Sequence, residues 1–477
     1  MTTIPQPAMR IERDTMGVVE VASDAYFGAQ TARAVQNFPI GTVTMPPAFI
    51  HALGRLKEAA ARANLELGDL DQRRSGAITE AAAEVARGQF DDQFPISVFQ
   101  TGSGTSSNMN ANEVIASRAN EILGGKRSTT GEVHPNDHVN RGQSSNDIIP
   151  TAIHLAIMTE LRDDLLLALA ELETGLRQKA REFWPVIKTG RTHLQDATPI
   201  RLGQEFVGFA DAVKLGAERL RSQIDLLGPV ALGGTAVGTG INCDPNFPRL
   251  VLSRIAHDTG LPVRETDHHF VGQSTIDALV STSGSLRTLA VTLTKIANDI
   301  RWMSSGPRAG LGEIELPELQ PGSSIMPGKV NPVAAEALLM VCAQVIGFDL
   351  TVTVAGQAGN FELNVMLPVV AYDLLQSVDL LAAACRTFAR NVILGLRATA
   401  RGPEMVEKGL MLVTALAPAI GYERAAAVAK EAHKSGMTVR ELARERTDLS
   451  DDQIDRLLDP ESMVGSGRDG PPPSAGG

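Results

Sequence analysis

Residues 151–183 read TAIHLAIMTELRDDLLLALAELETGLRQKAREF. Apolar side chains recur there at spacings of three and four, no proline interrupts them, and the one glycine comes late. That periodicity predicts a single long amphipathic helix. At about 1.5 Å per residue it extends roughly 50 Å. The pattern returns at 201–227, 274–305, 331–357 and 361–396, where Pro368 predicts a kink near the start of the last segment. Five long helices with antiparallel connections make a bundle, so the expected fold class is all-α. The segments 274–305 and 331–396 are apolar or small around much of their circumference. This predicts burial on more than one side, and hence oligomerisation.

Outward from this centre the pattern changes. Residues 1–143 mix short helices with polar loops, and MGVVEVASDAYFGAQTARA predicts a short strand followed by a helix. From about residue 401 the chain reads as short helices: PEMVEKGLMLVTALAP, YERAAAVAKEAHKSG, TVRELARER and SDDQIDRLL. The expected organisation is a mostly helical domain at 1–143, a central long-helix domain at 144–400 and a small helical domain at 401–477. The last of these ends in the Gly/Pro/Ser-rich tail GSGRDGPPPSAGG, expected to be disordered from about 465.

Composition narrows the function. Hydrophobic residues make up 43% of the 477 and aromatics only 4%, so Ala, Leu, Val, Ile and Met must fill the core, which favours helix-on-helix packing. The net charge of −11 argues against a nucleic-acid or anionic-membrane binder but leaves room for a locally positive pocket and a small anionic substrate. Three cysteines, Cys243, Cys342 and Cys385, are widely spaced and odd in number, which fits a reducing compartment. The N-terminus lacks an apolar signal core, and no run reaches the roughly 18 apolar residues of a membrane span. The expected location is the cytoplasm.

Four segments break the helical pattern with dense polar groups: TGSGTSSN (101–108), QSSND (143–147), GRTHLQD (190–196) and PGSSIMPGKVNP (321–332). Helix capping explains any one of them. Capping needs one such residue, however, and each loop offers several. Converging helix N-termini would bind a multiply charged carboxylate without a metal. The last segment is not a nucleotide loop: five residues separate Gly322 from Gly328, and Val330 stands where the magnesium-binding hydroxyl belongs. In it Asn331-Pro332 reads as an N-cap followed by proline at the first helical position, with Glu336 about one turn inside and Lys329 just outside. No metal site is expected. His134 and His138 flank Pro-Asn-Asp, a turn, and Cys342 and Cys385 lie in apolar runs as core residues do.

GSSIMPGKVNP resembles the signature of the fumarase/aspartase superfamily. TGSGTSSNMNANEV, HPNDHVNRGQSSND, GRTHLQDATP and MRIERDTMGVVEV…DAYFGAQTARA resemble its other blocks, over residues 10 to 460. Within the superfamily the likeness is to class II fumarate hydratases, because aspartate ammonia-lyases typically carry Gln where GRTHLQDA has His193. The resemblance implies a three-domain, mainly α fold, a homotetramer with a twenty-helix core, and active sites assembled from three subunits. It implies reversible hydration of fumarate to (S)-malate by anti addition of water through an aci-carboxylate, without a cofactor; aspartate ammonia-lyase is the alternative. By resemblance Ser323 is the base. His193 is the partner acid, paired with Glu336 across subunits; a variant of this makes His193 the base acting through water. Lys329 and the loop N–H groups supply the positive setting a serine base needs. Ser103, Thr105, Ser144, Ser145, Asn146, Thr192, Lys329 and Asn331 match the contacts to substrate carboxylates. A second anion site of the family falls here on His134, Asn136 and Asp137. This chain departs from that pattern, with Gly131 where an arginine is often found and His138 in a usually acidic position, so a structural turn is the preferred reading.

Overall fold

The computed structural model describes residues 8–465; the tail expected to be disordered lies, beyond Gly465, outside the described residues. The chain divides into two compact units. One comprises residues up to Leu167 with Glu218–Thr288 and Ala343–Leu381; the other comprises Ala168–Ala217, Leu289–Cys342 and residues from Ala382 onward.

In the first unit an antiparallel hairpin, β1 (Met9–Asp14) and β2 (Gly17–Ala22), leads into α1 (Ala29–Asn37), α2 (Pro47–Glu66), α3 (Gln72–Ala86), α4 (Thr105–Ile122) and α5 (Ser145–Glu160). Proline opens α2, where its fixed φ suits a first turn, and Phe49, Ile50, Leu53, Leu56 and Ala60 make its buried stripe. Gly54 lets α3 approach: a Cβ there would lie 2.5 Å from the backbone nitrogen of Ala86. The start of α1 is capped from outside. Buried Glu113 of α4 accepts hydrogen bonds from the backbone N–H groups of Gly28 (2.9 Å), Gln30 (2.8 Å) and Thr31 (3.1 Å) and from the Thr31 hydroxyl (2.6 Å). These are the donors a helix leaves open at its first turn.

The helix predicted from 151 begins six residues earlier, at Ser145. It passes through a π-helical turn at Leu161–Leu165 and continues as α6 (Leu166–Glu182). Pro150 is accommodated in its second turn, at the loss of one backbone hydrogen bond. After β3 (Ile187–Thr192) and β4 (Gln195–Arg201) come α7 (Leu202–Leu227), α8 (Phe247–Thr259), α9 (His269–Ser274), α10 (Asp277–Met303), α11 (Val333–Gly356) and α12 (Leu367–Asn391). The expected long helices are therefore present. Pro368 does not kink α12 but stands at its second residue, and residues 359–364 form a small antiparallel turn before it.

The second unit contains the β3–β4 hairpin and the short C-terminal helices α13 (Arg401–Glu407), α14 (Ala417–Ile420), α15 (Tyr422–Ser435), α16 (Val439–Arg446), α17 (Asp451–Leu457) and α18 (Pro460–Met463). These helices share a core of Val406, Leu412, Leu416, Val428, Leu442, Ile454 and Leu458. Thr438 with Glu441 and Ser450 with Gln453 form capping boxes that start α16 and α17. The fold is all-α: each sheet among the described residues has only two strands.

Val333–Gly356 and Leu367–Gly395 are long and apolar enough, by length and composition, to cross a membrane. The second is mostly buried, but only 28% of the apolar window of Val333–Gly356 is. Its buried positions 334, 335, 338, 342, 345, 349, 352 and 355 follow helical spacing, and its exposed face, including Met340, Ile346, Leu350 and Val354, carries no charged residue.

Candidate active site

Five of the eight residues expected to bind carboxylate, Ser103, Thr105, Ser144, Ser145 and Asn146, lie in the first unit, and Thr192, Lys329 and Asn331 lie in the second. Gly104, in the left-handed region (φ 73°), starts α4 at Thr105, and Ser144 caps α5 at Ser145. The hydroxyls form a chain across the two starts: Ser103 Oγ lies 2.8 Å from Thr105 Oγ1, which lies 2.7 Å from Ser145 Oγ. Gly102 brings this loop against another segment. The Leu367 N–H donates to its carbonyl (2.9 Å), and a Cβ at 102 would fall 1.7 Å from the Val365 oxygen. Asn146 is held by donating from Nδ2 to the Ala236 carbonyl (2.8 Å).

Asp147 ties the second loop down. Its Oδ1 accepts from the Ser144 N–H (2.9 Å), and its Oδ2 accepts from the N–H groups of Gly233 (3.1 Å) and Thr235 (2.9 Å). Burial pushes this carboxyl up to about 6 despite those donors. Thr105, Asn108, Ser144, Ser145 and Thr235 line one open cleft of about 490 Å³, so two helix N-termini open on the same space.

Asn136 and Asp137 line this cleft too. They lie in a π-helical turn, Pro135–Val139, which His134 caps: its Nδ1 accepts from the N–H groups of Asn136 (3.3 Å) and Asp137 (3.2 Å). The His134 N–H in turn donates to His138 Nδ1 (2.8 Å). At Gly131 a Cβ would lie 2.4 Å from the Asn120 side chain. That amide is occupied, donating to the carbonyls of Ser128 and Val133 and accepting from the Val133 N–H.

In the second unit GRTHLQD is not a loop between helices but the tip of the β3–β4 hairpin. Thr192 pairs with Gln195, and His193 (φ 57°) and Leu194 (φ 59°) are the two turn residues, both left-handed and exposed. Beneath the tip, Arg191 makes a forked ion pair to buried Glu313 (2.7 and 3.0 Å), and Lys188, 1% exposed, lies 3.2 Å from Glu313 and 3.3 Å from Glu205. The pairing with Glu313 raises the Arg191 pKa, so this cation is fixed in charge as well as in place.

The loop of Ser323 folds back on itself. A Cβ at Gly322 would lie 1.9 Å from the Lys329 carbonyl oxygen, and Asn331 Nδ2 donates to the Gly322 carbonyl. Asn331 thus closes the loop with its side chain, while α11 starts two residues on, at Val333. Ser323 Oγ accepts hydrogen bonds from the N–H groups of Ile325 (3.2 Å) and Met326 (2.9 Å). Lys329 is exposed, and Glu336 is half-buried in the first turn of α11. Among the described residues, no hydrogen bond or ion pair joins His193 to Ser323 or to Glu336 within the chain.

The family model described as Lyase matches residues 17–347, and that described as Fumarase C C-terminus matches 412–465. The chain is 54% identical over 461 residues to fumarate hydratase class II of Methylorubrum extorquens, covering 96% of this chain and 98% of that protein. It is 52% identical to the mitochondrial fumarate hydratase 1 of Arabidopsis thaliana, covering 96% and 93%. The crystal structure of class II fumarase from Schistosoma mansoni superposes with a TM-score of 0.93 at 41% identity, covering 96% of this chain and 99% of that one. The chain belongs to the class II fumarate hydratase family.

Reading for family blocks alone missed the groups that hold this cleft from behind. Lys57 of α2 is 0% exposed and donates to Asn108 Oδ1, Asn140 Oδ1 and Gln143 Oε1. A signal was present: Lys57 stands on the stripe of Leu53, Leu56 and Ala60, where a charge is out of place. Glu313, which holds the hairpin, carried no comparable pattern.

Proposed function

We propose that the chain catalyses the reversible hydration of fumarate to (S)-malate by the following route. In the dehydrating direction Ser323 Oγ, acting as the alkoxide, removes the proton from the carbon next to one carboxylate and becomes a hydroxyl. The released electron pair moves into that carboxylate, giving an aci-carboxylate with an extra negative charge. Hydroxide then leaves the neighbouring carbon and takes a proton from His193, so water departs and the double bond of fumarate forms. Hydration reverses each step, with anti addition.

The observation that carries this reading is the joined start of α4 and α5. Two helix N-termini with the hydroxyls of Ser103, Thr105 and Ser145 in one hydrogen-bonded chain suit a carboxylate. Charge growing on an already anionic group is the difficult part, and each preorganised donor aimed at it contributes about 3 kcal/mol. Ser144, Asn146, Thr192 and Asn331 complete the donor set in this scheme, and Lys329 supplies the charge. A serine hydroxyl is a weak base at its free pKa. The two N–H groups that donate to Ser323 Oγ stabilise negative charge on that oxygen, as the role demands.

The scheme draws on more than one chain, as the family resemblance implies; within this one no hydrogen bond or ion pair among the described residues joins His193 to Ser323 or Glu336. We read the particle as a homotetramer whose sites draw on three subunits. The exposed, uncharged face of α11 supports this, since a second copy can cover it. His134, Asn136 and Asp137 serve in this reading mainly as a capped turn, because His134 Nδ1 is already spent on backbone donors. The three cysteines are free, which fits the cytoplasm.

Incubation with fumarate and ammonium, followed by NMR of the products, tests the activity. Malate is the expected product. Aspartate as the main product would replace the reading with the ammonia-lyase alternative.

A further inference from the structure

Lys57 lies in the middle of α2 with no exposed surface, and burying an ammonium is costly unless its donors are satisfied. All three of its donors are used, on amide oxygens: Asn108 Oδ1 at 2.8 Å, Asn140 Oδ1 at 3.1 Å and Gln143 Oε1 at 2.8 Å. Asn108 stands in the first turn of α4, and Gln143 immediately precedes the Ser144 cap of α5. Asn140 bridges them, accepting from Asn108 Nδ2 (3.1 Å) and donating to the Gln143 carbonyl (3.1 Å). All three amides line the cleft. One cation therefore sets how the two hydroxyl-bearing loops meet.

None of the three partners is charged. Asp147 is the carboxylate that acts on Lys57 through space, but its own oxygens are spent on the N–H groups of Ser144, Gly233 and Thr235. The ammonium thus stays short of a direct counter-ion, and burial pulls its pKa down to about 7. A dianion in the cleft would supply the missing negative charge.

We propose that Lys57 is a positioning residue for the dicarboxylate substrate, a buried cation that orients Asn108, Asn140 and Gln143 and adds positive potential beneath the cleft without touching the ligand. This rests on the fumarate hydratase reading and adds to it a group outside the motif loops. Because the potential and the loop geometry serve bound substrate and transition state alike, removing them raises KM more than it lowers kcat.

The test uses the full chain with Lys57→Met, and with Lys57→Gln as a second variant that is neutral but still able to donate to the amides. KM and kcat for fumarate, inhibition by succinate as an unreactive dicarboxylate, and thermal melting are measured on each. Expected is a rise of about tenfold in both KM and the succinate inhibition constant, with kcat changed less than about threefold. Melting that falls while KM and the succinate constant stay within about twofold of wild type would make Lys57 merely structural, and a fall in kcat with KM unchanged would equally overturn the proposal. If the methionine variant does not fold, the glutamine variant decides between the same outcomes. Wild-type protein that fails to interconvert fumarate and malate would instead remove the activity reading itself.

Discussion

His193 and Leu194 occupy a two-residue hairpin turn in which both have positive φ. Such turns favour Asn-Gly, because a side chain in the left-handed region costs about 1–2 kcal/mol. Neither residue has the chemistry that signals this turn, which is why GRTHLQD does not read as a hairpin tip. Strain of this kind persists where the surroundings hold it, and here the Arg191–Glu313 fork lies directly below. Leu194 is 65% exposed, so little packing is lost when it is shortened. Leu194→Gly should therefore stabilise the protein by about 0.5–1 kcal/mol, seen as a higher midpoint of thermal unfolding. An unchanged or lower midpoint would mean that the turn is not strained. That PGSSIMPGKVNP forms a loop ahead of a helix was legible in its prolines and glycines. The inward turn of Asn331 onto Gly322 was not, because a side chain in a cap position can serve either neighbour.

The helices were the most legible part. Long apolar periodicity fixes their existence, and the segments at 201–227 and 274–305 begin and end within three residues of the observed α7 and α10. Boundaries failed beside two prolines: the helix expected from 151 starts at Ser145 and contains Pro150, and Pro368, expected to kink a helix, stands at its second residue. For α11 the sequence shows no polar stripe, and the reason appears in the structure. Apart from Asp349, which is buried and paired with Ser283 and Arg287, the buried face is apolar, and the exposed face is largely apolar too, so little contrast marks the side that packs inside the chain. If the exposed face is covered by another copy, a charge there must be buried with it. Leu350→Arg, at a position 66% exposed in the single chain, should shift the particle to smaller species in sedimentation while leaving helix content intact. An unshifted sedimentation profile would show that the face lies outside the subunit contacts.

For the whole molecule, the all-α class and the family were readable from blocks spread along the chain, whereas the assembly of the site was not. The residues proposed to hold one carboxylate sit at two helix starts in the first unit, and those proposed as base and acid sit on a loop and a hairpin in the second. Sequence order says nothing about which of these face a common ligand, because that depends on how distant segments pack. The account therefore stands on the chemistry attributed to the parts together. The most direct measurement is the ultraviolet absorbance of the fumarate double bond after (S)-malate is added to purified wild-type protein and to Ser323→Ala. The account predicts a rise to equilibrium with the wild type, and a rate at least about a hundredfold lower for a variant that keeps the same particle size and melting behaviour. No absorbance from the wild type, or an undiminished rate from Ser323→Ala, would contradict it.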